Sequence, residues 1–317
     1  MKNILILEGK SDQCKTLTYF LKNSKKFEIH TSPNICEKDY SNFDEIIPTG
    51  SNSTYKYIND FGDIKIGQLV FTKNNIETYD KIPYLDFIKN NGIPIPNTYV
   101  NKNDLKIFPV FYKSLREEGY AERGILRDIK EAESFNNPNV FFQEFIWSKG
   151  TYGVGFLADR GKLLTTFIQY ELLSYPYHGG SGVILERVED KRLVEYTQRI
   201  VKESNYSGWG LVEFKYSFRI DDYVFMEVNA KLWASLKFAF VNNPLFLKML
   251  FDIDFKPLDL KRVLYIDRFI LSEWADIYKY SPYLYKSKIV HSKPIVKTII
   301  DRLKGNRIKA QRIKLMK

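Results

Sequence analysis

The chain has 317 residues, of which 44% are hydrophobic and 27% are charged. This composition is ordinary for a protein that buries a core, and the length predicts two or three compact units. The only cysteines, Cys14 and Cys36, form neither a disulfide framework nor a metal-ligand spacing. We therefore expect a reducing compartment, the cytoplasm. We also expect no signal peptide and no membrane span, because the first apolar run ends at Glu8 and no run reaches 18 apolar residues.

The net charge of +10 is concentrated at the C-terminal end of the chain. Residues 286–317 hold eleven Lys and Arg against Asp301 alone, an excess equal to the whole net charge. The remaining body is neutral, so specific nucleic-acid binding is not expected. Apolar residues recur at helical spacing between Lys293 and Leu303, which predicts an amphipathic basic helix. Three interpretations stay open for it: docking on the body, peripheral contact with an anionic inner-membrane surface, or binding of an acidic partner or polyanionic substrate.

The first predicted elements alternate between strands and helices over residues 2–75. Apolar residues at helical spacing place a helix from Asp12 to Leu21. The strand candidates are the segments NILIL, FEIH, DEIIP and QLVFT. This alternation predicts a small Rossmann-like domain with a parallel sheet, which we place at residues 1–80.

The next elements are a helix from Ile82 to Asn90, which Asn91-Gly92 ends as a C-cap, and a strand in KIFPVFYKS. A charged loop, SLREEGYAERGI, then precedes a helix near Asp128–Phe135 and a strand in VFFQEFIW. From Gly150 the strands become longer, which predicts an antiparallel sheet. Its candidate strands are TYGVGFLAD, KLLTTFIQYELL, GLVEFKYSFRI and YVFMEVNAK, with one helix over about Asp190–Asn205 between them. Residues 256–317 are predicted to be a helical, basic extension.

Three oxygen-bearing side chains stand out in the last two long strands. Glu227 and Asn229 lie two residues apart and share one face of their strand. A hairpin through Arg219–Asp222 would bring Glu213 opposite them. Hard oxygen ligands without His or Cys suit Mg²⁺, so we predict a magnesium site. The alternative is that these acids lie on a solvated face. The flanking apolar residues argue against it, because buried carboxylates are unfavourable unless a cation neutralises them.

These strands, VEFK followed by FMEVNAK, resemble the metal-binding end of the ATP-grasp superfamily. Four upstream segments resemble the family in the same order: YDKIPYLDFIKNNGIPIPNT, FPVFYKSLREEGYAERGI, FFQEFI and SYPYHGGSGV. The last is nearest the subgroup of carbamoyl-phosphate synthase large chains and D-aspartate ligases. The resemblance covers about residues 1–255. It implies an α/β fold: a pre-ATP-grasp domain at 1–80, a two-lobed ATP-grasp domain at 81–255 with nucleotide between the lobes, and the extension at 256–317.

The resemblance also implies roles for individual residues. The two family lysines that contact the nucleotide match Lys81 and Lys113. The residues that border the adenine match Gln143, Glu144 and Ile146. Glycines of a flexible loop that closes over the phosphates match Gly119 and Gly124. The metal ligands match Glu213, Glu227 and Asn229.

The remaining implied roles concern the carboxylate that is activated. Lys231 stands where the family has an arginine that contacts the acyl phosphate. Gly180 lies in a glycine-rich segment whose exposed backbone N–H groups could cradle that group, with a simple turn as the alternative. His178, beside it, is a candidate general base, with a loop or substrate-side contact as the alternative.

The implied activity is ADP-forming ligation, in which ATP and Mg²⁺, or Mn²⁺ in its place, activate a carboxylate as an acyl phosphate that an amine then attacks. Two alternatives remain. One is an ATP-grasp kinase that releases a phosphorylated product. The other is a nucleotide-binding protein without turnover. Two departures from the family favour it: Lys231 stands where the family has arginine, and Thr151 stands near the position of its ribose-binding acid.

Overall fold

The structure, a computed structural model, describes residues 1–37, 39–116, 122–175, 180–271 and 287–290. The N-terminal unit is built on a three-stranded parallel sheet in the order β2-β1-β3. Ile4, Leu5 and Ile6 of its central strand are buried, as the apolar run predicts. The elements of this unit are β1 (Lys2–Ile6), α1 (Asp12–Ser24), β2 (Phe27–Thr31), β3 (Glu45–Ile47), α2 (Ser51–Phe61), β4 (Ile64–Ile66) and β5 (Leu69–Phe71).

The parallel pairing of β1 with β2 and β3 agrees with the parallel sheet predicted for this region. The prediction was wrong about one strand and missed one helix. The QLVFT segment is a strand, but it pairs antiparallel with β4 in a separate two-stranded ribbon. Helix α2 was not predicted, because TGSNST supplies no apolar periodicity at its start. It begins at Ser51, and the backbone N–H of the N-cap residue Gly50 donates to Ser53 Oγ. A 3₁₀ helix at Lys73–Tyr79 then leads into the next unit.

The second unit carries a four-stranded antiparallel sheet in the order β6-β9-β7-β8. A helix precedes it, beginning at Lys81 and ending at Asn90, where Gly92 takes the left-handed conformation (φ 69°) that the C-cap prediction requires. Strand β8 corrects the predicted loop, since residues 123–126 pair with β7 instead. The elements are α3 (Lys81–Asn90), β6 (Thr98–Tyr99), β7 (Val110–Ser114), β8 (Arg123–Leu126), α4 (Ile129–Ser134) and β9 (Val140–Glu144).

The third unit carries a seven-stranded sheet in the order β14-β13-β10-β11-β12-β15-β16. Its four long strands run antiparallel, as the alternating pattern predicts. The elements are β10 (Thr151–Asp159), β11 (Lys162–Tyr175), β12 (Ser181–Arg187), α5 (Lys191–Glu203), β13 (Gly208–Ser217), β14 (Asp222–Asn229), α6 (Leu236–Asn242), α7 (Leu245–Phe251), β15 (Arg262–Tyr265), α8 (Ile266–Leu271) and β16 (Lys288–Val290).

The predicted helical extension over residues 256–317 is corrected in its first part. Residues 262–265 form a strand that pairs with β12, because Val263 and Leu264 find buried partners at that edge of the sheet. A short helix follows, and β16 then pairs parallel with β15. The predicted basic helix from Lys293 to Leu303 lies outside the described residues. Within the described ranges, no helix combines the length and apolar character needed to cross a bilayer.

The largest cluster of buried side chains runs continuously from β1 to β15. Large aromatic side chains fill the space between the central sheet and its helices, and each is at most 1% exposed: Phe156, Trp209, Phe214, Phe225, Phe238 and Phe240. Burial of such side chains supplies most of the stabilisation of the fold, roughly 1.5–3 kcal/mol for each. The smaller sheet, by contrast, has its own cluster around Val110 and Phe142. A cleft therefore separates two packed sheets.

Candidate functional site

The hairpin of β13 and β14 brings the three predicted metal ligands together. Glu213 lies directly opposite Glu227, and Leu211 lies opposite Asn229. The side chains of Glu227 and Asn229 thus flank Glu213, whose Oε1 accepts a hydrogen bond of 3.0 Å from Asn229 Nδ2. Successive residues of each strand point to opposite faces of the sheet. The carboxylates therefore share one face, and Val212 and Phe214 lie on the other, where both are fully buried.

Two lysines from outside the hairpin approach the same carboxylate. Lys81, the first residue of α3, has its Nζ 3.2 Å from Glu227 Oε2. Lys113, on β7 of the smaller sheet, has its Nζ 3.9 Å from that oxygen and donates to the backbone carbonyl of Met226 at 3.2 Å. Lys113 is only 7% exposed. The two sheets therefore meet across the cleft through cations on one side and carboxylates on the other.

The electrostatics of the cluster show that it lacks positive charge. Burial, together with the negative charge of Glu227, raises the pKa of Glu213 to about 7. Lys113 and Lys231 act in the opposite direction but do not compensate. A hard divalent cation fits such a donor set, since two carboxylates and an amide oxygen are ligands that Mg²⁺ accepts and extra positive charge is what the carboxylates need. Within the described ranges no group of three His, Cys, Asp or Glu forms a metal site, so any site here depends on Asn229.

The cleft between the sheets has a volume of about 840 Å³, which is in the usual range for small-molecule sites. Glu144 and Ile146, two of the three residues predicted at the adenine, line it. Gln143 does not. Its side chain is buried inside the smaller sheet, where Nε2 donates to Thr98 Oγ1 at 3.2 Å. Any contact of Gln143 with a nucleotide would thus be made by its backbone.

The predicted loop glycines fall in different places. Gly124 lies within β8, opposite Tyr112. A Cβ at that position would lie 2.6 Å from the Tyr112 hydroxyl oxygen, so the close approach of this ring accounts for the glycine. Gly119 lies outside the described residues. Its role in a phosphate loop stays a prediction.

The residues predicted at the activated carboxylate are partly described. Lys231 lines the cleft, and its Nζ donates to the hydroxyl of Ser51, the first residue of α2. Gly180 also lines the cleft, next to the start of β12. His178 lies outside the described residues. The structure thus brings Lys231 and Gly180 to the same cleft as the metal-ligand candidates.

Three further charged residues at the cleft or its border were missed by the sequence reasoning. Lys215 lies two residues after Glu213 on the same strand face and lines the cleft. Glu171, on β11, lines it from two strands away on the same sheet. Arg268, on α8, is 7% exposed and donates to the Gly182 carbonyl and to Asp12, each at 2.6 Å. Period-two spacing from Glu213 would have identified Lys215. No local pattern indicates Arg268, whose partners are 86 and 256 residues away.

No protein-family model matches the chain, and no curated protein matches it in sequence. Solved structures do resemble it. An N5-carboxyaminoimidazole ribonucleotide synthetase in complex with ADP matches with a TM-score of 0.62 at 10% identity, over 84% of this chain and 81% of that one. A biotin carboxylase–β,γ-ATP complex from Campylobacter jejuni gives 0.58 at 17% identity, over 80% and 72%. Rhizobium etli pyruvate carboxylase gives 0.57 at 14% identity, over 76% of this chain.

This chain spans about a quarter of the length of the pyruvate carboxylase, 27%. At identities of 17% or less the likeness concerns the fold. The chain therefore shares the fold of these enzymes, which supports the predicted ATP-grasp fold. The subgroup inferred from the glycine-rich segment stays a prediction.

Proposed function

We propose that the protein is an ADP-forming ligase that uses ATP to activate a carboxylate and joins it to an amine. The observation that supports this most is the pair Glu213 and Glu227, which faces Lys81 and Lys113 across a cleft between two sheets. Cations and carboxylates arranged in this way suit the transfer of a phosphoryl group, where positioning and charge neutralisation provide most of the acceleration. The substrates are small molecules of these two classes, and we place the protein in the D-aspartate ligase-like subgroup and in the cytoplasm.

Glu213, Glu227 and Asn229 would hold Mg²⁺, or Mn²⁺ in its place. The metal would neutralise charge on the phosphate oxygens of ATP. Lys113 and Lys81 would hold these phosphates from the opposite side, since their ammonium groups already lie within 4 Å of a carboxylate oxygen at this position. The adenine would lie against β9 and the segment after it, where Ile146 is 6% exposed and gives an apolar wall.

Lys231 and the segment from Gly180 to Gly182 would hold the carboxylate to be activated. The Lys231 ammonium contacts the first turn of α2, so the N-terminal unit forms one wall of this part of the cleft. In the first step a carboxylate oxygen forms a bond to the γ-phosphorus, while the bond from phosphorus to the β–γ bridging oxygen breaks and ADP leaves. The residues act here by holding the two anions in line against their mutual repulsion.

The test is a hydroxamate assay with purified full-length protein, ATP and Mg²⁺. A panel of carboxylates, for example the common amino acids and short dicarboxylates, is supplied with hydroxylamine as the nucleophile. We expect ADP and an acyl hydroxamate in equal amounts for at least one carboxylate. ADP with a stable phosphorylated product would support a kinase instead. Tight ATP binding without ADP release across the panel would support a nucleotide-binding protein without turnover.

A further inference from the structure

Glu171 presents a carboxylate to the cleft that the functions above leave without a role. It lies on β11, opposite Thr151 of β10, and it is half-buried. Gly153 pairs with Gln169 on one side and with Glu213 on the other, so Glu171 and Glu213 share one face of the large sheet. Within the part of the chain that the structure describes, no hydrogen bond or ion pair reaches the Glu171 carboxylate. Because Glu171 lines the cleft, a ligand that enters the cleft can reach its carboxylate.

The surroundings of this carboxylate are defined by a glycine and two cations. A Cβ at Gly182 would lie 3.0 Å from Glu171 Oε1, so the carboxylate lies directly against the glycine-rich segment. Arg268 approaches from α8, but its guanidinium already donates to the Gly182 carbonyl and to Asp12. Lys215 lies on the same sheet face between Glu171 and Glu213, and burial lowers its pKa.

The negative charge around Glu171 is not fully balanced by the neighbouring cations. Lys215 stands between two carboxylates, Glu171 and Glu213, and Arg268 is engaged by Asp12. Burial, together with the charge of Glu213, raises the pKa of Glu171 to about 8, whereas Arg268 and Lys215 lower it. An ammonium group placed beside Glu171 would favour its ionised form, and an ionised carboxylate whose pKa burial has raised is a good proton acceptor.

The position relative to the metal-ligand candidates suits a nucleophile site. Glu213 and Glu171 are separated by two strand spacings, about 10 Å, and by one two-residue step along the strand, about 7 Å. Their backbones are therefore roughly 12 Å apart, and their side chains project toward the same cleft. A phosphorylated carboxylate held at the metal would thus have its acyl carbon between the two groups, with Gly180 and Gly182 beside it.

We propose that Glu171 forms the subsite for the nucleophile, which is a primary amine that arrives as an ammonium ion. This inference rests on the proposed ligase function. Glu171 binds the ammonium group and takes one of its protons. The lone pair of the resulting amine forms a bond to the acyl carbon, and the bond from that carbon to the phosphate oxygen breaks with its electrons going to phosphate. A second proton passes from nitrogen to the departing phosphate, and the amide remains.

The experiment compares two nucleophiles in the wild-type protein and in Glu171→Gln. Hydroxylamine is uncharged at neutral pH and needs neither an ammonium subsite nor a base, so it reports activation of the carboxylate alone. Ammonium chloride and the common amino acids serve as the amine panel. We expect Glu171→Gln to lose about 100-fold or more of the amine-dependent kcat/KM, as for a missing general base. The hydroxylamine-dependent rate should stay within roughly threefold of the wild-type rate.

The control variant is Glu186→Gln. Glu186 lies on the neighbouring strand opposite Tyr170, on the other face of the sheet from Glu171, and pairs with Arg262. It should leave both rates unchanged. A structural role of Glu171 would lower both rates together and would overturn the subsite, as would full amine-dependent activity of Glu171→Gln. The pH profile adds a second criterion, because the amine-dependent rate of Glu171→Gln should follow only the ionisation of the amine itself, so that its rise moves to higher pH than in the wild-type protein.

Failure of this inference differs from failure of the proposed function. If wild-type protein forms no acyl hydroxamate from any carboxylate of the panel, ligation itself is refuted, and the subsite with it. If wild-type protein forms hydroxamates and amides while Glu171→Gln makes amides at the wild-type rate, ligation stands and the subsite alone is refuted.

Discussion

Glu227→Gln tests the proposed metal site most directly. The substitution keeps the shape of the side chain and removes one of the two negative charges that would face Mg²⁺. It also removes the charge that faces Lys81 at 3.2 Å and Lys113 at 3.9 Å. With an effective dielectric constant near 20, these two attractions amount to about 5 and about 4 kcal/mol before desolvation is counted. The net effect on unfolding is far smaller, about 1–3 kcal/mol, because the neutral amide does not carry the desolvation cost of a buried carboxylate.

The effect on turnover should be much larger than the effect on folding. Loss of a charged group that stabilises the transferring phosphoryl group lowers kcat by about 100- to 1,000-fold in comparable sites. Binding of ATP without divalent metal should be unchanged or tighter, since the Glu227 carboxylate no longer competes with the phosphate oxygens for the two lysines. This combination separates a metal ligand from a residue that only holds the lysines in place.

The assay measures ADP release at saturating Mg²⁺, ATP affinity by calorimetry without metal, and the thermal transition of each variant. Glu186→Gln, on the opposite sheet face, controls for a carboxylate-to-amide change. ADP release at the wild-type rate from Glu227→Gln would refute the metal assignment. Weakened metal-free ATP binding would instead show that Glu227 serves to position the lysines.

Three further predictions follow from single contacts. Lys113→Met, which retains the buried stem of the side chain, should weaken ATP binding about 10- to 100-fold by calorimetry, as for the loss of one charged hydrogen bond; equal affinity would exclude the phosphate contact. Arg268→Met should lower the free energy of unfolding in urea by about 3–5 kcal/mol, because it removes the hydrogen bonds of a buried guanidinium to Asp12 and to the carbonyls of Gly182 and Ala234. A loss below about 1 kcal/mol would mean that these hydrogen bonds contribute little. The folded-state pKa of Glu171 is raised from 4.5 to about 8. Between these values the folded form binds more protons than the unfolded form, so the free energy of unfolding should fall as pH rises. Glu171→Gln should flatten the dependence of Tm on pH, and an unchanged slope would contradict the burial of this charge.

Much of the large sheet could be predicted from local patterns. Strand β10 begins and ends where the TYGVGFLAD pattern places it, from Thr151 to Asp159. Arg160 and Gly161 then adopt positive φ angles of 45° and 76°, as a tight hairpin turn requires. Period-two alternation predicts that Glu227 and Asn229 share a face, and a hairpin brings Glu213 opposite them, with Val212 and Phe214 in the core. It does not predict the β-bulge between Glu213 and Phe214, which places Glu213 directly opposite Glu227.

The missed elements have partners far away in the chain. Strand β12 follows a glycine-rich segment, and its apolar run gives no indication of which strand it joins. Its partner at the sheet edge lies 80 residues later, where Ile184 is opposite Leu264. The cleft residues likewise differ in how far apart they lie in the sequence. Glu213, Glu227 and Asn229 lie within one hairpin and were found together, whereas Lys81 and Lys113 were found through the family resemblance, and Glu171 only through its place in the sheet.

The charges of the cleft also explain why this site can be both unfavourable and functional. Three carboxylates, those of Glu171, Glu213 and Glu227, lie on one face of the sheet, and burial raises the pKa of two of them. Apolar residues at these positions would stabilise the fold more, since a buried charge is unfavourable until a partner arrives. In the proposed function the partners are the ligands themselves: a divalent cation at the hairpin and an ammonium ion at β11. Each binding event would then neutralise a buried negative charge. The free energy of unfolding that these charges lower in the ligand-free protein would thus reappear as stronger ligand binding and as correct placement of the reacting groups.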